Sequence, residues 1–313
     1  MGERMSGNFF GTPTPFTGTD AAPIPAAPLN GHDDPPLPVS ETDYGVIEAK
    51  TGGKPVVEVL PPEFADEALA LAFSGSYGPA SRYVSQWGRW YLWDGQCWRH
   101  DDTLRVRDMA RRLCRSYACN AAPNVQKAVT SRKTIDAVLH LAQADRVHAA
   151  TVNQWDADPW LLNTPAGIVD LRTGDIGPHD PAHHMTKMTT VSPGGDCPLW
   201  LRFLDRVTDG DAELVAFLKR VAGYCLTGIT REHAMFFAYG TGRNGKGVFL
   251  NALVSILGDY AMTADPDTFT ASGQGKHLTV LARLQGARLV VAQETEEGVP
   301  WAEARIKSVT GGD

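Results

Sequence analysis

The sequence has no long hydrophobic run and no N-terminal signal pattern. No apolar stretch approaches the roughly 20 residues that a membrane-spanning helix needs. The N-terminus also lacks a charged segment followed by an apolar one. These two absences argue against the membrane-spanning and secreted classes, and they predict a cytoplasmic protein with no membrane partner.

Cysteine is scarce, and the thiols are scattered along the chain. The five cysteines form no CxxC pair, which argues against a zinc site and against a disulfide framework. We therefore expect a reducing compartment and buried, unpaired thiols at Cys97, Cys114, Cys119, Cys197 and Cys225.

The chain also lacks an excess of positive charge. Its net charge is −7, so any contact with DNA must use a local basic surface. Two segments with helical spacing, 103–120 and 130–142, carry arginines. Together with Lys127, Arg132 and Lys133, these arginines either line a DNA backbone or form a solvated helix face. On the second interpretation they are balanced by Asp101, Asp102 and Asp108.

Residues 1–62 are predicted to be a disordered tail and linker. The segment is rich in Gly, Pro, Thr and Ala, so it buries too little apolar surface to offset the entropy lost on ordering. The tail extends to about residue 40, and the linker ends at Pro61-Pro62.

A mixed helical and β-hairpin domain is predicted over residues 63–195. The segment 63–73 has apolar residues at helical spacing. Aromatic runs flank Asp94-Gly95, as in a β-hairpin whose tryptophans form a sheet core rather than a base-stacking surface. Alternating runs within 160–176 predict a second hairpin that turns at 172–175.

A histidine group follows the second hairpin. Adjacent histidines do not easily face one ion, so we interpret this group as a surface loop rather than a metal site. It comprises His179, His183 and His184, beside Asp180.

Two helices are predicted in a connector over residues 196–232. The first begins at Pro198 and ends near Asp209-Gly210. The second follows Asp211, whose side chain is suited to cap it, and runs to about Leu226.

A phosphate-binding loop is predicted at the start of residues 233–313. The apolar run 236–239 predicts a central strand, and 246–257 predicts the helix that leaves the loop. Glycines let backbone N–H groups surround an anion, and the helix directs its positive end at the same place. Gly247 stands where a Ser or Thr hydroxyl usually holds magnesium. The candidate binding residues are Gly240, Thr241, Gly242, Arg243, Asn244, Gly245, Lys246, Gly247 and Val248.

A second apolar run, 288–294, predicts a buried parallel strand that ends in Glu294. Ligands bind at the carboxyl edge of open α/β sheets. A carboxylate at that edge can orient an attacking water or hold a metal through water. Lys246 and Glu294 are therefore the candidate catalytic residues, and Glu294 is the candidate metal residue.

These motifs resemble those of the phage/plasmid primase family, whose ATPase is a superfamily 3 DNA helicase. The segment 239–246 is similar to its Walker A loop, and 288–298 is similar to its Walker B strand. The segment 306–313 resembles the start of the next motif, which forms a DNA-facing hairpin in the family. Residues 63–230 resemble the domain that precedes the helicase.

The resemblance implies an AAA+-like P-loop NTPase with a parallel-sheet core. It implies ATP and Mg²⁺ as cofactors and DNA as substrate. It also implies a homo-oligomeric ring, a hexamer at full length, acting with host or phage replication proteins in the bacterial cytoplasm. Lys246 is then expected to contact the β- and γ-phosphates, and Glu294 to polarise the attacking water. Lys307 either approaches DNA or nucleotide, or is an ordinary surface lysine.

The sequence departs from the family pattern at Gly247 and at Gln293, where related helicases often carry an acid. It also stops at Asp313, before the expected hairpin, sensor and arginine finger. We therefore expect an incomplete ATPase domain. The alternative hypothesis is a non-catalytic remnant or a DNA- or protein-binding module. A small-molecule kinase is disfavoured because no acceptor site or lid is recognisable.

Overall fold

The computed structural model describes most of the chain beyond the N-terminal segment. The described residues are 60–240, 242–265, 268–270, 286–292 and 300–311. The tail predicted over 1–62 therefore lies outside the described residues as far as residue 59.

A helical layer forms the first core. It contains α1 (Asp66–Tyr77), α2 (Arg105–Ala118), α3 (Pro123–Val129) and α4 (Arg132–Ala144). The predictions of α1, α2 and α4 are confirmed. α3 was not predicted, and it starts with a proline in the first turn, where a missing N–H costs little. The buried side chains recur at helical spacing and include Leu69, Phe73, Val106, Ala110, Leu113 and Val138.

A four-stranded sheet packs beside these helices. It contains β1 (Ser81–Val84), β2 (Arg89–Trp93), β3 (Trp98–His100) and β4 (Ala149–Ala150), in the order β3-β2-β1-β4. β1 and β4 run parallel, and the other pairs are antiparallel. The hairpin predicted at Asp94-Gly95 is confirmed by the antiparallel pairing of β2 with β3. In its turn, the Asp94 carboxylate accepts hydrogen bonds from the Gln96 and Cys97 N–H groups at 2.8 Å.

Both faces of β2 are covered. Trp90 and Leu92 pack against the helical core, whereas Tyr91 and Trp93 pack against a cluster around Trp98 and Trp155. Trp90, Trp93 and Trp98 therefore belong to the cores, as the alternation along the strand predicted, whereas Trp87 is 37% exposed.

A three-stranded antiparallel sheet follows, with β5 (Leu161–Thr164), β6 (Gly167–Asp170) and β7 (Ile176–Gly177). The hairpin predicted at 172–175 is confirmed. A second turn, between β5 and β6, was not predicted. It depends on Gly167, where φ is 141° and a Cβ atom would lie 2.2 Å from the Gly177 carbonyl oxygen.

Four α-helices and two strands follow the three-stranded sheet in the described residues. The helices are α5 (Pro198–Val207), α6 (Ala212–Tyr224), α7 (Lys246–Leu257) and α8 (Glu303–Gly311). The strands β8 (Ala261–Ala264) and β9 (Leu289–Ala292) pair in parallel. The predicted α5, α6 and α7 are confirmed, as is the Asp211 cap, whose carboxylate accepts from Glu213 and Leu214 N–H at 2.9 and 3.0 Å.

The predicted central strand at 236–239 is wrong. Residues 234–240 form no strand, and the Phe237 and Tyr239 side chains are 63% and 83% exposed. Apolar side chains do not make a strand unless a neighbouring backbone satisfies its N–H and C=O groups, and no described strand pairs with this segment. The described residues thus form a mixed α/β fold whose parallel sheet has two strands, rather than a full P-loop core.

Residues 306–311, expected to begin a hairpin motif, lie within α8. The helix is consistent with the good helix formers Glu303, Ala304, Arg305 and Lys307 in its sequence. This part of the expectation is therefore wrong for the described residues.

The edge of β5 that is not paired with β6 forms hydrogen bonds that connect the three-stranded sheet to the α7–β9 region. The Leu161 carbonyl accepts from Arg288 Nη2 at 2.6 Å. The Asn163 N–H donates to the Tyr260 hydroxyl at 3.2 Å, and the Asn163 carbonyl accepts from Thr189 N–H at 2.9 Å. These bonds cover an edge that would otherwise expose unpaired backbone groups.

Candidate phosphate-binding site

Two glycines shape the loop that precedes α7. Gly240 has φ 147° and Gly245 has φ 87°, both in the region that favours glycine. A Cβ atom on Gly240 would lie 2.4 Å from Asn244 Nδ2. Gly240 and Gly245 therefore occupy positions where the positive φ disfavours a side chain, whereas a Cβ atom on Gly242 or Gly247 would meet nothing within 4 Å.

Lys246 lies across this loop. Its Nζ atom donates to the Gly240 carbonyl oxygen at 3.0 Å and to Asn244 Oδ1 at 2.8 Å. Lys246 is also the first residue of α7, so its ammonium group is close to the positive end of the helix. The lysine and the N-terminal N–H groups of α7 thus form one electropositive corner.

The loop rests on α5. A Cβ atom on Gly245 would lie 2.6 Å from Val207 Cγ1 and 3.2 Å from Phe203 Cε2. Trp200 stacks on Phe203 and on Phe249 of α7, with ring centroids 5.2 and 5.8 Å apart. Sequence analysis missed this support, because α5 is distant in sequence and its aromatic residues carry no motif.

The loop fits a phosphate better than it fits a metal ion. Gly240 and Gly245 leave room for a backbone cradle, and Lys246 provides the cation. Of the loop residues that the structure describes, 240 and 242–248, none has a hydroxyl or carboxylate side chain. At Gly247 a Cβ atom would meet nothing within 4 Å, so no steric contact accounts for the missing hydroxyl.

The other predicted site residues are placed as follows. Gly242, Arg243, Asn244, Gly247 and Val248 are exposed. Arg243 has φ 62°, a left-handed conformation that is uncommon for a residue with a side chain. Thr241 and Glu294 lie outside the described residues, and β9 ends at Ala292, two residues before Glu294.

The thiols do not form a second site. Burial raises the pKa of Cys97 to about 12, with the nearby Asp94 carboxylate adding to the effect. Burial likewise raises the pKa values of Cys114 and Cys225 to about 11. These three thiols are therefore protonated at neutral pH. The expectation of buried thiols is confirmed for them and is wrong for Cys119 and Cys197, which are exposed.

The histidines make separate contacts. His179 Nε2 lies 2.9 Å from the Thr164 carbonyl oxygen, and His184 stacks on Trp98. In the described part of the chain, no group of three His, Cys, Asp or Glu side chains is placed to hold a metal ion.

The mixed helical and sheet region has a counterpart among known families. Residues 70–209 match the family described as D5 N terminal like. This D5 N-terminal-like region extends from within α1 to the turn after α5, and it is consistent with the phage/plasmid primase family. No curated protein matches the chain. None of the helices in the described ranges is long and apolar enough to cross a membrane.

The match ends before α6 and the loop, so the family similarity and the loop geometry are independent observations. They meet at α5. This helix belongs to the D5 N-terminal-like region, and its Phe203 and Val207 side chains support Gly245.

Proposed function

We propose that the chain is an ATP-binding DNA helicase component of phage or plasmid replication. The observation that carries the proposal is the loop geometry, in which Gly240, Gly245 and Lys246 form an anion-binding corner at the start of α7. The D5 N-terminal-like region supports the replication context. As a helicase it would couple ATP hydrolysis to DNA unwinding as a ring oligomer.

In this proposal Lys246 exchanges its bonds to Gly240 and Asn244 for bonds to the β- and γ-phosphates. The N–H groups at the start of α7 hold the same phosphates. Glu294 follows β9 in the sequence; it would polarise the attacking water and would help to hold Mg²⁺ through water. The ion supplies charge neutralisation at the phosphates when bound.

A nucleotide-binding module without hydrolysis is the second candidate. Gly247 favours it, because the position that usually supplies a magnesium-binding hydroxyl has no side chain. The two candidates share nucleotide binding and differ in turnover.

Nucleotide binding is tested with a fluorescent ATP analogue. We expect Lys246→Ala to weaken binding by about 10- to 100-fold, because hydrogen bonds to charged groups contribute about 1.5–3 kcal/mol. Lys219→Ala, at an exposed position on α6, is the control and should bind as the wild type does. Equal affinity of the wild type and Lys246→Ala would refute the loop assignment.

Hydrolysis is tested on the same proteins with and without DNA. Glu294→Gln should keep the affinity for the analogue and lower turnover by about 10²-fold or more, the range expected for a general base. Binding by the wild type without turnover would instead support the non-hydrolysing module.

A further inference from the structure

The helices α2, α3 and α4 present a basic surface in an acidic protein. Residues 105–144 contain eight Lys or Arg and two Asp, although the net charge of the whole chain is −7. All eight basic residues lie at least partly exposed. Positive charge is therefore concentrated in this segment of the chain.

The two aspartates do not neutralise this surface. Asp108 contacts both Arg111, at 3.3 Å, and Arg112, at 2.8 Å. Asp136 likewise contacts both Arg107 and Arg132. Each carboxylate is thus shared by two guanidinium groups, so the two aspartates are outnumbered by the four arginines that they contact.

Asp101, considered above as a balancing charge, has a different role. Its carboxylate accepts hydrogen bonds from the Arg105 and Val106 N–H groups at 2.8 and 2.9 Å. It therefore caps the N-terminus of α2. Among the described residues, the Asp101 carboxylate forms no ion pair with an arginine. Of the three aspartates considered above as balancing charges, only Asp108 forms ion pairs with arginines among the described residues, so the interpretation of a balanced helix face holds only in part.

Four exposed cations remain without an ion pair to any described residue: Arg105, Arg115, Lys127 and Lys133. Arg115 and Lys127 line an open groove of about 530 Å³ between the end of α2 and α3. The Gln126 and Thr130 side chains line the same groove. The donors of these two side chains already bond to backbone carbonyls, Gln126 Nε2 to Ala121 at 2.9 Å and Thr130 Oγ1 to Gln126 at 2.8 Å. The groove therefore offers an anion chiefly the two cations.

We propose that the α2–α4 surface binds the sugar–phosphate backbone of DNA. Six of its eight cations are arginines, whose planar guanidinium groups suit phosphate oxygens. Apart from His140, Tyr117 is the only aromatic residue between 105 and 144, so base stacking contributes little and the contact is independent of sequence. The choice of DNA over another polyanion rests on the proposed function. The existence of the basic surface follows from the charges and ion pairs of α2–α4 and is independent of that function.

The test is fluorescence anisotropy of a labelled duplex, and of one of its strands, with the full chain and no nucleotide. Arg115→Gln/Lys127→Gln is compared with Lys219→Gln/Arg220→Gln on α6, which removes the same charge from exposed positions elsewhere. We expect the first variant to bind about tenfold or more weakly near 0.1 M salt, with a salt slope reduced by about 2. The control should stay within about twofold.

The proposal is supported if duplex or single-stranded DNA binds the wild type and the control but binds Arg115→Gln/Lys127→Gln more weakly. The DNA form that binds more tightly identifies the substrate. Equal losses in the two double variants would overturn it. So would binding of a polyglutamate peptide in place of DNA, which would indicate an acidic protein partner. Circular dichroism verifies that both variants fold.

Lys246→Ala separates this inference from the ATPase proposal. It should keep full DNA affinity in the absence of nucleotide, because Lys246 lies outside the α2–α4 surface. Loss of ATP binding with retained DNA binding supports both proposals. DNA binding without any nucleotide binding by the wild type would refute only the ATPase.

Discussion

His148 is a fully buried histidine next to the helical core. The Ser81 hydroxyl donates to the Tyr77 carbonyl at 2.7 Å, so it can only accept from His148 Nδ1, 3.1 Å away. Nδ1 therefore carries the proton. Nε2, which would take up a second proton, is buried without a partner among the described residues.

Burial accordingly lowers the pKa of His148 below its usual 6.5; the Ser81 carbonyl and Asp145 oppose this shift, and Arg82 adds to it. The unfolded chain then binds a proton more readily than the folded one. His148 contributes stability above about pH 6.5 that is lost as the pH falls through the lowered pKa. His184, whose pKa burial also lowers, acts in the same direction.

We predict that His148→Phe flattens the pH dependence of stability between about pH 7 and pH 5. The ring stays among Phe73 and Trp90, and the wild-type slope from one site cannot exceed about 1.4 kcal/mol per pH unit. Urea unfolding at each pH measures the free energy of unfolding, and its change with pH gives the slope. His140→Phe, at an exposed position on α4, is the control. A variant that keeps the full wild-type slope would show that other groups cause it.

At the scale of elements, two glycines at the start of α7 have opposite requirements. Gly247 lies within the helix, and its Cβ position is open. Gly245 precedes the helix in a left-handed conformation, against Val207 and Phe203. Gly247 lowers the helix propensity of α7, whereas Gly245 is required by its backbone conformation and by its packing against α5.

We predict that Gly247→Ala raises the free energy of unfolding by about 0.5–1 kcal/mol, because alanine is the better helix former. Gly245→Ala should lower it by about 1–3 kcal/mol, through positive φ and overpacking against α5. The two substitutions add the same methyl group and so control for each other in thermal unfolding. Equal effects would contradict the described loop geometry.

Local chemistry determined which elements could be predicted. α7 ends at Gly258, α6 starts after Asp211, and the β2–β3 hairpin turns at Asp94-Gly95, because caps and turns act over a few residues. The strand predicted at 236–239 failed because strand formation depends on a distant partner. At the site, Gly240, Gly245 and Lys246 came from the motif, but the α5 support did not. The catalytic role of Glu294 stays a prediction.

At the scale of the whole molecule, Arg288 joins three parts of the fold. It donates to the carbonyl oxygens of Leu161 on β5 and Leu226 after α6, at 2.6 and 2.5 Å. Its guanidinium group also lies over the Tyr260 ring, 4.4 Å from the centroid. Arg99 makes a comparable link at the surface, to Asp94 and Asp259 at 3.3 and 3.0 Å.

These two arginines provide a test of how the D5 N-terminal-like region is coupled to the α7–β9 region. We predict that Arg288→Met costs about 2–4 kcal/mol, because two inward-facing carbonyls lose a charged donor. Arg99→Met should cost less than about 1 kcal/mol, because its ion pairs are exposed to solvent. Urea unfolding measures both.

Loss of the Arg288 contacts should also make the D5 N-terminal-like region and the α7–β9 region unfold in two separate transitions. Six of the eight tryptophans lie between Trp87 and Trp160, so tryptophan fluorescence reports mainly on the D5 N-terminal-like region, whereas circular dichroism reports on all helices. The two curves should coincide in the wild type and in Arg99→Met, and diverge in Arg288→Met. Coincident curves and a small cost in Arg288→Met would mean that the hydrogen bonds of the β5 edge to Tyr260 and Thr189 suffice to couple the two regions.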